Sequence, residues 1–374
     1  MEHMKIVQTS QLYFGKAFSD PRFPGDKLRA GIKSVFSGIV DTALKESADL
    51  VILAGDTFDS NDISQNLLDF FIGEINRLEK IPVVIISGAQ DNFDRKSFWE
   101  QWRVSPPAEN LKVIVGDEKP HVELPDHSAV VYGFPPTGEE QRAPDLANVR
   151  YVGGRDIHIG VVYGHLSTEK EAEKDKLLLR YDQLQSSRFS YIALGGHNSA
   201  RSFVELGLKA AYAGCPALLL PDWSDAGNIL IVDLQKGSLK IEQRKIDGFV
   251  WKEAEIDMAT VANMDDLKRR IMDVSGPNVL MRLTLSGLAL LEAGLNLEQI
   301  RSEMDEHFLN LEIVDRTRVL PDNVSEVKVH ERTILGQYLK VMVDKLNQAS
   351  GAEKEKLEQS LKIGYTLLSG REIW

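Results

Sequence analysis

The chain has 374 residues, 43% hydrophobic and 27% charged, ordinary proportions for a globular protein with a large core and room for two or three domains. Its formal net charge of −12 argues against a basic nucleic-acid module, because such affinity comes largely from lysine and arginine neutralising phosphates. The one cysteine, Cys215, excludes an intrachain disulfide framework and a multi-thiolate zinc site. No apolar run reaches the roughly 18 residues of a membrane span, and no signal-peptide pattern precedes the first strand. A cytoplasmic protein without membrane contact is expected.

In chain order, an apolar strand over 5–10 leads to a helix over 26–46, where Leu28, Ile32, Val35, Phe36 and Ile39 recur at helical spacing. A strand over 50–54 and a helix over 64–78 follow, then a third strand over 82–87, rich in β-branched residues. These are βα units with short loops, so an α/β sheet sandwich is the expected class. Further strands are predicted over 112–115, 129–134, 157–163, 191–194, 229–233 and 239–245. From 249 the pattern changes to strands over 249–256, 279–285 and 309–319, with helices over 264–274 and 297–307 between them. Residues 321–323 break the chain, and two amphipathic helices are expected over 333–348 and 353–368. The division predicted is a large α/β domain over 1–246, a small α+β domain over 247–325 and a helical tail over 326–374.

The large domain repeats one device: strands that end in polar, glycine-containing loops. These are Thr9-Ser10-Gln11-Leu12-Tyr13, Ala54-Gly55-Asp56-Thr57-Phe58-Asp59 and Ser87-Gly88-Ala89-Gln90-Asp91-Asn92, then Tyr163-Gly164-His165 and Gly195-Gly196-His197-Asn198. Strand carboxyl ends are where open α/β sheets build their sites. This ordered set, continued by Tyr212-Ala213-Gly214-Cys215-Pro216, resembles the calcineurin-like metallophosphoesterases, and within them the SbcD-type double-strand-break repair nucleases. The resemblance implies a four-layer α/β/β/α sandwich with a small α+β capping domain and C-terminal helices. It also implies a mechanism in which two divalent metals activate water for in-line displacement at phosphorus.

Carried over position by position, the family's metal-binding and catalytic residues fall on Gln11, Tyr13, Asp56, Ala89, Gln90, Tyr163, Gly196 and Asn198, and Asp56 alone keeps the family's residue. Alanine and glycine bring no side-chain ligand, and amides bring only a neutral oxygen, where two dications need anionic oxygen and imidazole. Gln90 has no titratable proton and cannot act as a general acid. The expected function is therefore that of an SbcD-like DNA repair exonuclease family protein, catalytically impaired or inactive, serving as a binding or scaffolding subunit with no confident cofactor. The alternative is an active phosphodiesterase or DNA nuclease with a rearranged single-metal site, which would use manganese or another divalent metal. For that site the candidates are Asp56, His165 and His197: His165 follows Tyr163 by two positions and would share its face on an extended strand. The opposing reading makes both histidines ordinary loop residues, with Asp59 and Asp91 organising their loops.

Other features admit two readings each. Trp99 and Trp102 can stack on bases or pack in the core. Lys268, Arg269 and Arg270, and Arg316 with Arg318, can contact phosphate or form solvated faces. Cys215 reads as a small residue in a turn. The tail helices can pack on their own protein or, as the resemblance implies, dock on an SMC-like (SbcC-type) ATPase. A homodimer is a further option, and DNA is a candidate ligand.

Overall fold

The β-branched apolar runs form strands, and the runs with helical spacing form helices. The computed structural model describes residues 3–18, 24–116, 121–136, 142–144, 146, 149–166, 176–217, 226–235, 237–289, 297–319 and 333–368. Its first half runs β1 (His3–Thr9), α1 (Gly25–Lys45), β2 (Leu50–Ala54), α2 (Gln65–Arg77), β3 (Val83–Ile86), α3 (Phe98–Val104), β4 (Leu111–Ile114), β5 (His121–Leu124), β6 (Ala129–Phe134) and β7 (Ile157–Tyr163). Next come the two-residue strands β8 (His165–Leu166) and β9 (Leu178–Leu179), α4 (Tyr181–Ser186), β10 (Tyr191–Gly195), β11 (Arg201–Ser202), β12 (Ala210–Tyr212), β13 (Asn228–Gln235) and β14 (Ser238–Lys245).

These strands build two six-stranded sheets, ordered β14-β13-β1-β2-β3-β4 and β11-β12-β10-β7-β6-β5. In the first, β1 to β4 run parallel and β1 pairs antiparallel with β13. In the second, β6, β7, β10 and β12 run parallel. The inner faces meet in one core: Ile6, Ile52, Val84 and Ile86 from the first sheet pack with Val131, Ile159, Val161 and Ala193 from the second. Alternate residues Val7, Leu53, Val83 and Ile85 are buried on the opposite face, as the two-residue period of a strand requires. The stripes of α1 (Leu28, Ile32, Val35, Phe36, Ile39) and α2 (Leu67, Phe71, Ile75) are buried too. On the outer side of the second sheet, Tyr132, Val162 and Ile192 pack with Leu184 of α4 and Phe189. The result is the α/β sheet sandwich that the strand pattern predicts, in the α/β/β/α layering that the resemblance implies.

Two compact units are present, residues 1–250 and 251–374. The second holds β15 (Val250–Asp257), which begins at the boundary, then α5 (Met264–Met272), β16 (Gly276–Ser286), β17 (Leu288–Ala289), α6 (Leu297–Met304), β18 (Phe308–Asp315), β19 (Arg318–Val319), α7 (Ile334–Gln348) and α8 (Ala352–Leu368). Strands β15, β16 and β18 form a three-stranded sheet in that order. Its core includes Leu267 and Ile271 of α5, Leu283 and Leu285 of β16, and Ile300 of α6. Helices α7 and α8 pack on one another through Leu339, Met342 and Leu361, and α7 is capped by Thr333, whose side chain accepts from Gly336 N. The expected break over 321–323 lies outside the described residues.

Candidate functional site

The parallel strands of both sheets deliver their carboxyl-terminal loops to the same end of the sandwich, and Asp56 is the only carboxylate of the expected set. It follows β2 in a left-handed conformation (φ 49°), and its side chain reaches Tyr163 of the second sheet. Asp56 is 2% exposed. Its Oδ2 accepts from Tyr163 Oη, at the end of β7, at 2.6 Å. Its Oδ1 accepts from Gln90 N at 2.8 Å, and the Ala89 amide also donates to the carboxylate. Burial pushes the Asp56 carboxyl above its ordinary range, and the Tyr163 and backbone donors oppose that shift. Burial and the adjacent Asp56 carboxylate raise the Tyr163 hydroxyl, so it stays a neutral donor.

Two further side chains cross between the sheets beside this pair. Tyr13 Oη donates to Asn198 Oδ1 at 2.9 Å. The buried Gln11 amide, in the orientation that satisfies both of its ends, accepts from Gly196 N (2.7 Å) and His197 N (3.1 Å) and donates to His197 O (3.3 Å). Gln11 and Tyr13 both hold positive φ values, fixed by backbone bonds from Gln11 N to Gly55 O and from Tyr13 N to Asp56 O. The structure thus brings Gln11, Tyr13, Asp56, Ala89, Gln90, Tyr163, Gly196 and Asn198 together at one place.

The residues present do not fit a pair of divalent cations. Asp56 spends both oxygens on protein donors, Ala89 and Gly196 supply no ligand, and Gln11, Tyr13 and Asn198 are engaged with each other's loops. Among the described residues no group of three or more His, Cys, Asp or Glu side chains could hold a metal ion. Asp56, His165 and His197 therefore form no such trio. The expectation that His165 shares a strand face with Tyr163 also fails. Strand β7 ends at Tyr163, and Gly164 packs so tightly that a Cβ there would lie 2.7 Å from Leu177 O. His165 then starts a separate ladder opposite Leu178. The exposed His197 turns its Nδ1 to Ser199 N at 3.1 Å.

The retained aspartates organise loops. Asp91 is fully buried and accepts from Gly88 N (2.6 Å) and Phe58 N (3.1 Å), while Asp59 pairs with Lys16 at 3.0 Å. Burial and the neighbouring Asp56 push Asp91 up to about 8. Trp99 and Trp102 are core residues: Trp99 donates to Asp91 O at 2.6 Å, and Trp102 stacks on Phe71. Lys268 pairs with Glu303, and Arg269 and Arg270 share Asp266, so each cation of the run has a carboxylate partner on the surface. Arg316 is exposed, and the Arg318 side chain lies outside the described residues. Cys215 is buried and its thiol is pushed up to about 12 by desolvation, so it is an unreactive turn residue.

Sequence reasoning missed Gln8 and Ser10. Gln8 Nε2 donates to Leu194 O (3.2 Å) and Ala211 O (3.1 Å) on the opposite sheet, while Tyr191 Oη donates to Gln8 Oε1. Ser10 Oγ donates to Gly214 O at 3.2 Å. The available signal was an amide inside an apolar strand, which must find partners once buried.

No family model matches the chain. Over 316 residues it is 26% identical to the "Uncharacterized metallophosphoesterase YhaO" of Bacillus subtilis (strain 168), an alignment spanning 78% of this chain and 74% of that protein. Among solved structures, the crystal structure of TT1561 of Thermus thermophilus aligns with a TM-score of 0.38 at 11% identity, over 64% of this chain and 98% of that one. The sequence comparison thus makes the chain similar to a protein described as a metallophosphoesterase. No described helix is long and apolar enough to cross a membrane.

Proposed function

We propose that this chain is an SbcD-type metallophosphoesterase homologue that has given up two-metal hydrolysis and acts as a binding or scaffolding subunit, with an SMC-like (SbcC-type) ATPase as its partner through α7 and α8. The observation that carries the reading is the 2.6 Å bond from Tyr163 Oη to Asp56 Oδ2, at a carboxylate whose other oxygen is taken by Gln90 N. An aspartate held this way has both oxygens engaged by protein donors, and none of the side chains bonded to it is an imidazole. The partner assignment draws on the hairpin, where Ile334, Val341, Ile363, Leu367 and Leu368 are exposed apolar side chains on helices whose other faces pack together. Such a face suits helix-in-groove docking.

The test is hydrolysis of bis(p-nitrophenyl) phosphate by the full chain in manganese, beside the Asp56→Asn variant. The expected result is no turnover above the buffer rate from either protein. Turnover by the native chain that Asp56→Asn abolishes would establish the alternative, a working phosphodiesterase with a rearranged metal site.

A further inference from the structure

A metal pair in such a fold does structural work as well as chemistry, because it draws together loops from both sheets. We propose that side-chain hydrogen bonds have taken over that work: Tyr163, Tyr13 and Gln11 tie the strand-end loops of one six-stranded sheet to those of the other, with Tyr163 as the central tie. The inference rests on the reading that metal is absent from the site, and extends it by assigning the residues that replace it.

Each of the three reaches across the sandwich. Tyr163 of the second sheet donates to Asp56 of the first, while Tyr13 and Gln11 of the first sheet reach Asn198 and the 196–197 turn of the second. They continue the line begun by Gln8 and Ser10, so one end of β1 and its loop is linked repeatedly to the facing sheet. The backbones are built for this approach. A Cβ at Gly195 would lie 1.6 Å from Ala54 O, one at Gly55 would lie 2.5 Å from Tyr163 Cδ2, and one at Gly88 would lie 2.2 Å from Asp56 Oδ1. These glycines let the loops close until a phenol, not a cation, spans the remaining gap. The ties are neutral side chains: Tyr163 donates to a buried carboxylate, Tyr13 to the Asn198 side-chain oxygen, and Gln11 both accepts from and donates to the 196–197 backbone, so a lost partner leaves a desolvated group without compensation.

The experiment is hydrogen exchange on the full chain, native and Tyr163→Phe, each with EDTA or with manganese. For the native chain, exchange at Gln90, Gly196 and His197 is expected to be the same in both conditions. In Tyr163→Phe the same amides are expected to exchange about tenfold faster or more, because local opening becomes easier, while amides of α7 and α8 keep their native rates. Ser10→Ala, which leaves Asp56 untouched, should accelerate exchange near Gly214 and not at Gln90. If Tyr163→Phe leaves the three amides at native rates while the native chain is insensitive to manganese, the tie is overturned and the metal-free reading stands. If manganese slows exchange at Gln90 in the native chain, the metal-free reading itself fails. Should Tyr163→Phe lose the whole fold, Tyr13→Phe carries the test, with its effect read at residues 196–198.

Discussion

Tyr163 and Asp56 are separated by 107 positions and lie at the ends of strands in different sheets, yet they share a 2.6 Å hydrogen bond at the centre of the loop cluster. The Asp56 carboxylate accepts from a phenol and from backbone amides. Its partners define what each substitution should do.

Asp56→Asn should be close to neutral. The asparagine Oδ1 can still accept from Gln90 N, and its Nδ2 can donate to Tyr163 Oη, since a phenol serves as donor or acceptor. Asp56→Ala leaves the Gln90 amide and the buried Tyr163 hydroxyl without this partner and should cost ~1–3 kcal/mol. Urea denaturation of both variants checks the pair, and equal losses would contradict the account.

The strands around this site are legible because β-branched runs such as Val83–Ile86 and Ala129–Phe134 have few other uses. Strand β5, His121–Leu124, is not, because four residues with a single β-branched member carry little signal. Helix α3 is absent from the predicted elements, and its two tryptophans leave the choice between core and ligand open. At the site the resemblance tells which expected residues the sequence lacks, but not which contacts the residues present make. A tyrosine in place of a histidine looks like simple loss, and its bond to Asp56 depends on strand pairing far along the chain. His165 misleads for the opposite reason: two-residue spacing predicts a shared face only if the strand continues, and Gly164 ends it.

Trp99 is fully buried among Phe58, Phe98 and Trp102. Trp99→Ala should therefore cost ~3–5 kcal/mol of stability. Trp99 and Trp102 should keep their emission when single-stranded oligonucleotide is added. Quenching lost in the Trp102→Phe variant would return the pair to the role of a base-stacking platform.

Glu46 joins α1 to β1 and β14 by accepting from Lys5 and Arg244. The Arg244 and Lys5 hydrogen bonds hold its carboxyl down at about 2, from an ordinary value of 4.5. With the folded value depressed, its stabilisation is present above about 4.5 and is lost as pH falls toward about 2. Glu46→Gln should therefore lower the melting temperature at pH 6 and flatten its fall between pH 5 and about 2. Parallel native and variant curves through that window would refute the assignment.

The hairpin offers a test that leaves its own core intact. Replacing exposed Val341, Ile363 and Leu367 together with serine should leave the melting temperature within about 2 °C of native, since surface changes away from special features are worth little. On the proposed partner assignment, the native chain should retain an SMC-like ATPase in a pull-down and this variant should not. A large fall in melting temperature would show instead that this face is buried against the chain itself.

The central claim is that hydrogen-bonded side chains stand where a metal pair would sit, and manganese binding tests it most directly. In a titration followed by electron paramagnetic resonance, the native chain should leave the free-manganese signal unchanged up to millimolar metal, with Asp56→Asn indistinguishable from it. Uptake of two ions per chain, lost in Asp56→Asn, would contradict the account.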